Sequence, residues 1–154
     1  MVVFSFGNKL GRVIFAVITA AVLVTVCAVI GCDRRESIPH YVANDDGVRF
    51  YTEISDNDSA VGFLKQFGVS IEKKPVKKDI VTIPADFGEV YGEYNELQKR
   101  TGFDLLRFKG CKAERIIYKK KYSGEYVTLL AYKGHVIGGH IGSGEYGEKY
   151  RELG

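Results

Sequence analysis

Residues 125–141 read EYVTLLAYKGHVIGGHI, two runs of strand-forming residues separated by Lys133-Gly134. Period-two alternation on either side of a two-residue loop containing Gly predicts an antiparallel hairpin, because a positive-φ turn matches the twist of its flanking strands. The pairing sets Tyr132 across from His135, Leu130 across from Ile137 and Tyr126 across from Ile141. Val127, Leu129, Ala131 and Val136 then share the other face. Working back, Lys112 to Lys120 alternates in the same way and connects through Tyr122-Ser123-Gly124. Three antiparallel strands, 112–120, 125–132 and 135–141, are therefore expected.

Upstream the period changes. Pro84 is expected at the first position of a helix, where its missing N–H costs nothing. Phe87, Val90, Tyr91, Tyr94 and Leu97 recur at helical spacing and predict one buried stripe, with Gly102 as the stop. An earlier helix is read from Val61, Leu64 and Phe67, capped by Asp58 and ended by Gly68. Residues 48–54 alternate as a strand, and 79–83 form a short one. Between them Lys73-Lys74-Pro75-Val76-Lys77-Lys78 reads as a solvated connection. The sum is a small α+β domain over 48–142, two helices packed on an antiparallel sheet of three to five strands ending in a β-hairpin. Residues 143–154 are expected to be a flexible tail.

Before the domain stands VIFAVITAAVLVTVCAVIG, residues 13–31, without a charge or a proline. At 1.5 Å rise these residues make a helix of about 28 Å, close to the hydrocarbon thickness of a bilayer. Its apolar side chains favour insertion by roughly 3 to 6 kcal/mol. Backbone groups in lipid must be satisfied internally, so such a run is expected to be a transmembrane helix. Lys9, Arg12 and the amino terminus precede it without an acid, which places residues 1–12 as a cytoplasmic arm. Residues 32–47 become a polar spacer, and the domain lies outside the plasma membrane on a single-pass anchor. The same run also fits a lipoprotein signal, because Val29-Ile30-Gly31-Cys32 resembles a lipobox that would leave Cys32 as the lipidation site.

Composition excludes several functions. The formal net charge is +3, but two of the 22 basic residues lie before the apolar run, leaving 20 against 19 acidic ones. That balance provides no field for nucleic acid. Cys27, Cys32 and Cys111 make no disulfide framework within the domain, and Cys111 reads as a small unreactive residue, with a Cys32–Cys111 bridge as the alternative. Asp56-Asn57-Asp58 lacks the Gly and Glu that a calcium loop requires. His135 and His140 fall on opposite sides of one strand and cannot jointly hold zinc, so no metal is expected. Gly142, Gly144 and Gly147 match G-x-G-x-x-G, but no helix and second parallel strand follow, so no nucleotide cofactor is expected. Cys111 with a histidine has no orienting partner in the sequence, and no catalytic residue is assigned.

The segments FLKQFG at 63–68, VTIP at 81–84, YNELQKRTGFDL at 94–105 and AYKGHVIGG at 131–139 resemble a bacterial domain of unknown function. It occurs in membrane-anchored proteins of Firmicutes, especially clostridia. The resemblance implies a small α+β domain behind one transmembrane helix, and it brings no activity with it. An acidic residue often follows the Gly-Gly pair in that pattern, where this chain has His140.

A sheet with its helices on one side leaves the other side free for a partner. Tyr126, Thr128, Tyr132 and His135, with Tyr118, are expected to form such an interaction surface, since Tyr gives large contact area at low entropy cost. The reading is a membrane-tethered extracytoplasmic binding module without catalysis, whose partner is a protein or an envelope component. The alternatives are an enzyme or enzyme accessory using Cys111 or a histidine, and a single-pass envelope regulator.

Overall fold

β3 (Lys77–Thr82), β4 (Lys112–Lys119), β5 (Tyr126–Tyr132) and β6 (His135–Gly142) lie side by side in that order as an antiparallel sheet. The computed structural model describes residues 38–144 and 150–154. The other elements are the hairpin β1 (Tyr41–Ala43) and β2 (Arg49–Tyr51), the helices α1 (Asn57–Gln66) and α2 (Glu89–Arg100), and a 3-10 turn at Leu105–Phe108. The domain is α+β, as its alternating and helical periods required. The apolar run 13–31, the arm before it and Cys32 lie outside the described residues. Among the described residues no helix is long and apolar enough to cross a membrane.

The β5–β6 hairpin forms around Lys133-Gly134, both at positive φ, and sets Tyr132 opposite His135. Farther along, the expected register fails by one residue. Leu130 faces Gly138 and Tyr126 faces Gly142, because the ladder is irregular at Leu130/Ala131 and Ile137 is left over. Such a bulge inserts one residue into one strand and increases the local twist, and period-two reading cannot foresee it.

The helices cover opposite faces of the sheet, not one. Ile116, Tyr118, Val127, Leu129, Val136 and Ile141 pack against Ala60, Phe63 and Leu64 of α1 and against Val42 and Phe50 of the β1–β2 hairpin. Ala113, Leu130 and Ile137 pack on the other side, against Leu105 and the rings of Tyr91, Tyr94 and Phe108. Two buried faces explain why β4 and β5 carry Ile, Leu and Val on both sides.

Local signals set where the helices begin. Asp56, not Asp58, caps α1: its carboxylate accepts the Ser59 N–H at 2.8 Å while the Ser59 hydroxyl oxygen accepts the Asp56 N–H at 3.0 Å. This reciprocal box satisfies two otherwise orphan donors. α2 starts at Glu89, five residues beyond Pro84. Ile83 still exchanges backbone hydrogen bonds with Cys111 and Gly110, so the chain at Pro84 is only leaving the sheet. The α2 stripe is also rotated from expectation: Tyr91, Tyr94, Asn95 and Gln98 face inward, and Val90 is 83% exposed. Asn95 and Gln98 are buried because each has a partner. The Asn95 carbonyl oxygen accepts the Leu105 N–H at 2.7 Å and its amide donates to Asp104.

Both ends of the domain are longer than the sequence suggested. The expected spacer 32–47 already contains β1, whose Val42 is buried opposite Phe50. The expected tail 143–154 is fixed at its end, where Arg151 and Ile141 exchange backbone hydrogen bonds and Leu153 is buried in the core. All the described residues belong to a unit running from Glu36 to Gly154.

Candidate functional site

A groove of about 500 Å³ opens on the α2 side of the sheet, beyond the part that the helix covers. Its floor is Ile117 of β4 and Thr128 of β5, and Tyr126, His140 and Tyr150 form its walls. These side chains share a face because the ladder pairs Ile117 with Thr128 and Thr128 with His140. Tyr150 is brought to them by the Arg151–Ile141 bridge, which folds the end of the chain across the edge of β6. The Tyr150 ring lies 4.1 Å from the His140 ring, and Tyr94 of α2 packs on both.

The only imidazole of the groove is already engaged. Tyr94 Oη lies 2.8 Å from His140 Nδ1. Burial, reinforced by the Arg115 charge, holds the His140 pKa down to about 4. The ring is therefore neutral at pH 7 and shares a hydrogen bond with the phenol at Nδ1. Burial acts on Tyr94 in the opposite sense and raises its pKa far above the usual phenol range. Both groups are thus held uncharged, an arrangement suited to a fixed wall more than to proton transfer.

The rim carries charge. Arg115 binds Asp79 through two bonds, Nε to Oδ1 at 2.8 Å and Nη2 to Oδ2 at 2.6 Å, and Lys77 approaches the same carboxylate at 3.0 Å. Arg115, and then Lys77, hold the Asp79 carboxyl well below the usual range. Two cations against one anion leave a positive rim beside an aromatic and aliphatic floor.

The residues expected to form one interaction surface are divided by the fold. Tyr126 and Thr128 line the groove. Tyr118 projects from the opposite face, is 1% exposed beneath α1, and donates its hydroxyl to Asn57 Oδ1 at 3.0 Å. An odd separation along paired strands sends Tyr118 to the Val127 side, away from Thr128. Tyr132 packs edge-on against Phe108 at the hairpin end. His135 lies beside it, with Nδ1 3.3 Å from Thr52 Oγ1 and its ring 5.4 Å from that of His40. Arg115, His140 and Tyr150 were missed. Strand alternation could have placed Arg115 and His140 on the Thr128 face, but nothing local marks Tyr150.

Cys111 is buried and disulfide-bonded. The expectation that Cys111 is unpaired is thereby corrected. Among the described residues no group of His, Cys, Asp and Glu has the arrangement to hold a metal. No family model, no curated protein and no solved structure matches this chain.

Proposed function

We propose that the chain is a membrane-tethered binding module that displays its α+β domain outside the plasma membrane and holds an envelope component or protein in the Tyr126–Tyr150 groove. The observation that carries this reading is the pairing of an aromatic, half-open groove with a Tyr94–His140 couple that is neutral in both members. Pockets of this kind hold a ligand by apolar area and orient it with a few polar groups. Here Arg115 and Lys77 supply donors for an acceptor on the ligand, and Tyr126 and Tyr150 supply the area. The apolar run 13–31 supports the tether. The disulfide at Cys111 supports an oxidising compartment outside the cytoplasm.

The resemblance to the clostridial membrane-anchored domain fits the same proposal. Its shared segments fall on structural positions here, including Phe63, Leu64, Ile83, Asn95, Gln98 and Leu105, all buried. Such positions carry a fold, not a reaction. The form of the enzyme alternative that uses Cys111 requires a free thiolate, which a disulfide-bonded sulfur does not provide.

A photo-reactive amino acid at position 126 of the full-length chain, activated in intact membranes, tests the proposal. The expected result is a defined adduct that Tyr150→Ala weakens and that is absent with the same probe at exposed Lys65. Equal labelling at both positions, or a catalytic turnover abolished by Cys111→Ala, would overturn it.

A further inference from the structure

The two edges of the four-stranded sheet are treated differently. Along β6 the outward N–H groups are used: Ile141 donates to Arg151, Gly139 to Gln98 Oε1 at 2.7 Å, and Val136 to Thr52 at 2.8 Å. Three separate segments of the chain close that edge. Among the described residues the β3 edge has no such cover. Ile83 donates inward to Cys111 in register with the β3–β4 ladder, so the alternation of backbone direction sends the amides and carbonyls of Lys78, Ile80 and Thr82 outward. Among the described residues nothing bonds to them. Ile80, at the centre, is 64% exposed.

We infer that β3 is an interface with a second copy of this chain, paired antiparallel about a two-fold axis through Ile80. In that register Ile80 meets Ile80 of the other copy, Lys78 meets Thr82, and Asp79 meets Val81. Outward backbone groups oppose outward groups, residues of one face meet residues of the same face, and no like charges are directly opposed. The neighbouring two-fold registers fail. Centring on Asp79 sets two carboxylates face to face, and centring on Val81 sets Lys78 against Pro84, which has no N–H.

Charge and the flanking prolines favour this occupant. Exposed lysines ordinarily guard an edge strand against pairing. In this edge Lys78 is bound to Glu114 and Lys77 shares Asp79 with Arg115, each lysine at 3.0 Å from its carboxylate, and in the register centred on Ile80 neither lysine lies opposite a lysine of the other copy. Pro75 and Pro84 flank the strand, which limits pairing to a single short segment. An interface of one patch with itself closes as a dimer and does not propagate as a fibre.

The test uses the full-length chain in mild detergent. Opposed residues of a hydrogen-bonded pair have Cα atoms about 5.5 Å apart, within disulfide reach. Under mild oxidation Ile80→Cys is expected to give a covalent dimer, whereas Thr82→Cys, which faces Lys78 of the other copy, gives no more than the unmodified chain. Ile80→Lys should convert the dimer seen by light scattering to a monomer that still unfolds in one cooperative melt, now independent of protein concentration. If Ile80→Lys fails to fold, the cysteine pair still decides. A monomeric unmodified chain overturns the inference, as does equal cross-linking at positions 80 and 82, the pattern expected of association through the apolar run.

Discussion

The Gln98 side chain of α2 stands in for a missing strand, its Oε1 accepting the Gly139 N–H at 2.7 Å on the outer edge of β6. Gln98 is completely buried, and its Nε2 has no partner among the described residues. The position is thus held for its oxygen. Gln98→Met keeps the volume but leaves the Gly139 N–H unpaired. Such a change should destabilise the domain by about 1–3 kcal/mol, read as a lower urea midpoint at constant m.

His140 makes stability depend on pH. Its folded-state pKa of about 4 lies below the ordinary histidine value, so between those values the unfolded chain binds a proton that the folded one does not. Stability is full above about pH 6.5 and falls as pH drops toward 4, by about 3 kcal/mol at most. His140→Gln should flatten this window in urea titrations from pH 7 to 4. Glu125, whose carboxyl is held down to about 2 chiefly by Lys120 and then Arg151, acts below it. Its contribution is lost only as pH falls from the ordinary glutamate range toward 2, so the two residues are separable.

Gly102 is required twice. It ends α2 at φ +86, with its N–H bonded to Lys99 and that of Phe103 to Gln98. A Cβ there would also stand 2.3 Å from the Ala43 carbonyl oxygen of β1, a backbone atom. Gly102→Ala combines about 1–2 kcal/mol of left-handed strain with that clash. The expected result is a loss of at least about 2 kcal/mol, with hydrogen exchange rising first in the β1–β2 hairpin.

Cys111 gives a covalent prediction. Because it is disulfide-bonded, alkylation of the denatured, unreduced chain should leave it unlabelled, and reduction should expose it. Peptide mapping with and without reductant reads the change. A Cys111 peptide fully alkylated without reductant would restore the unpaired residue that the sequence suggested and reopen the thiol-enzyme alternative.

Local chemistry settled part of this molecule before any packing was considered. The alternation in residues 126–141, the positive-φ loop at Lys133-Gly134 and the α+β class depend on interactions within a few residues, so they were legible in the chain itself. The side of the sheet taken by each helix was not, because apolar residues on both faces of β4 and β5 are compatible with either arrangement. Val90 belongs by spacing to the buried stripe of α2, yet it is exposed. Asn95 and Gln98 took that place because Leu105 and Gly139, distant in sequence, present N–H groups that must be satisfied there. The groove depends on the same non-local terms: Tyr126 and Thr128 could be read as neighbours on one strand, but Tyr150 reaches them only because Arg151 completes the edge of β6. Short-range periodicity determines elements, whereas the burial and hydrogen-bond demands of the assembled sheet decide which of their faces meet.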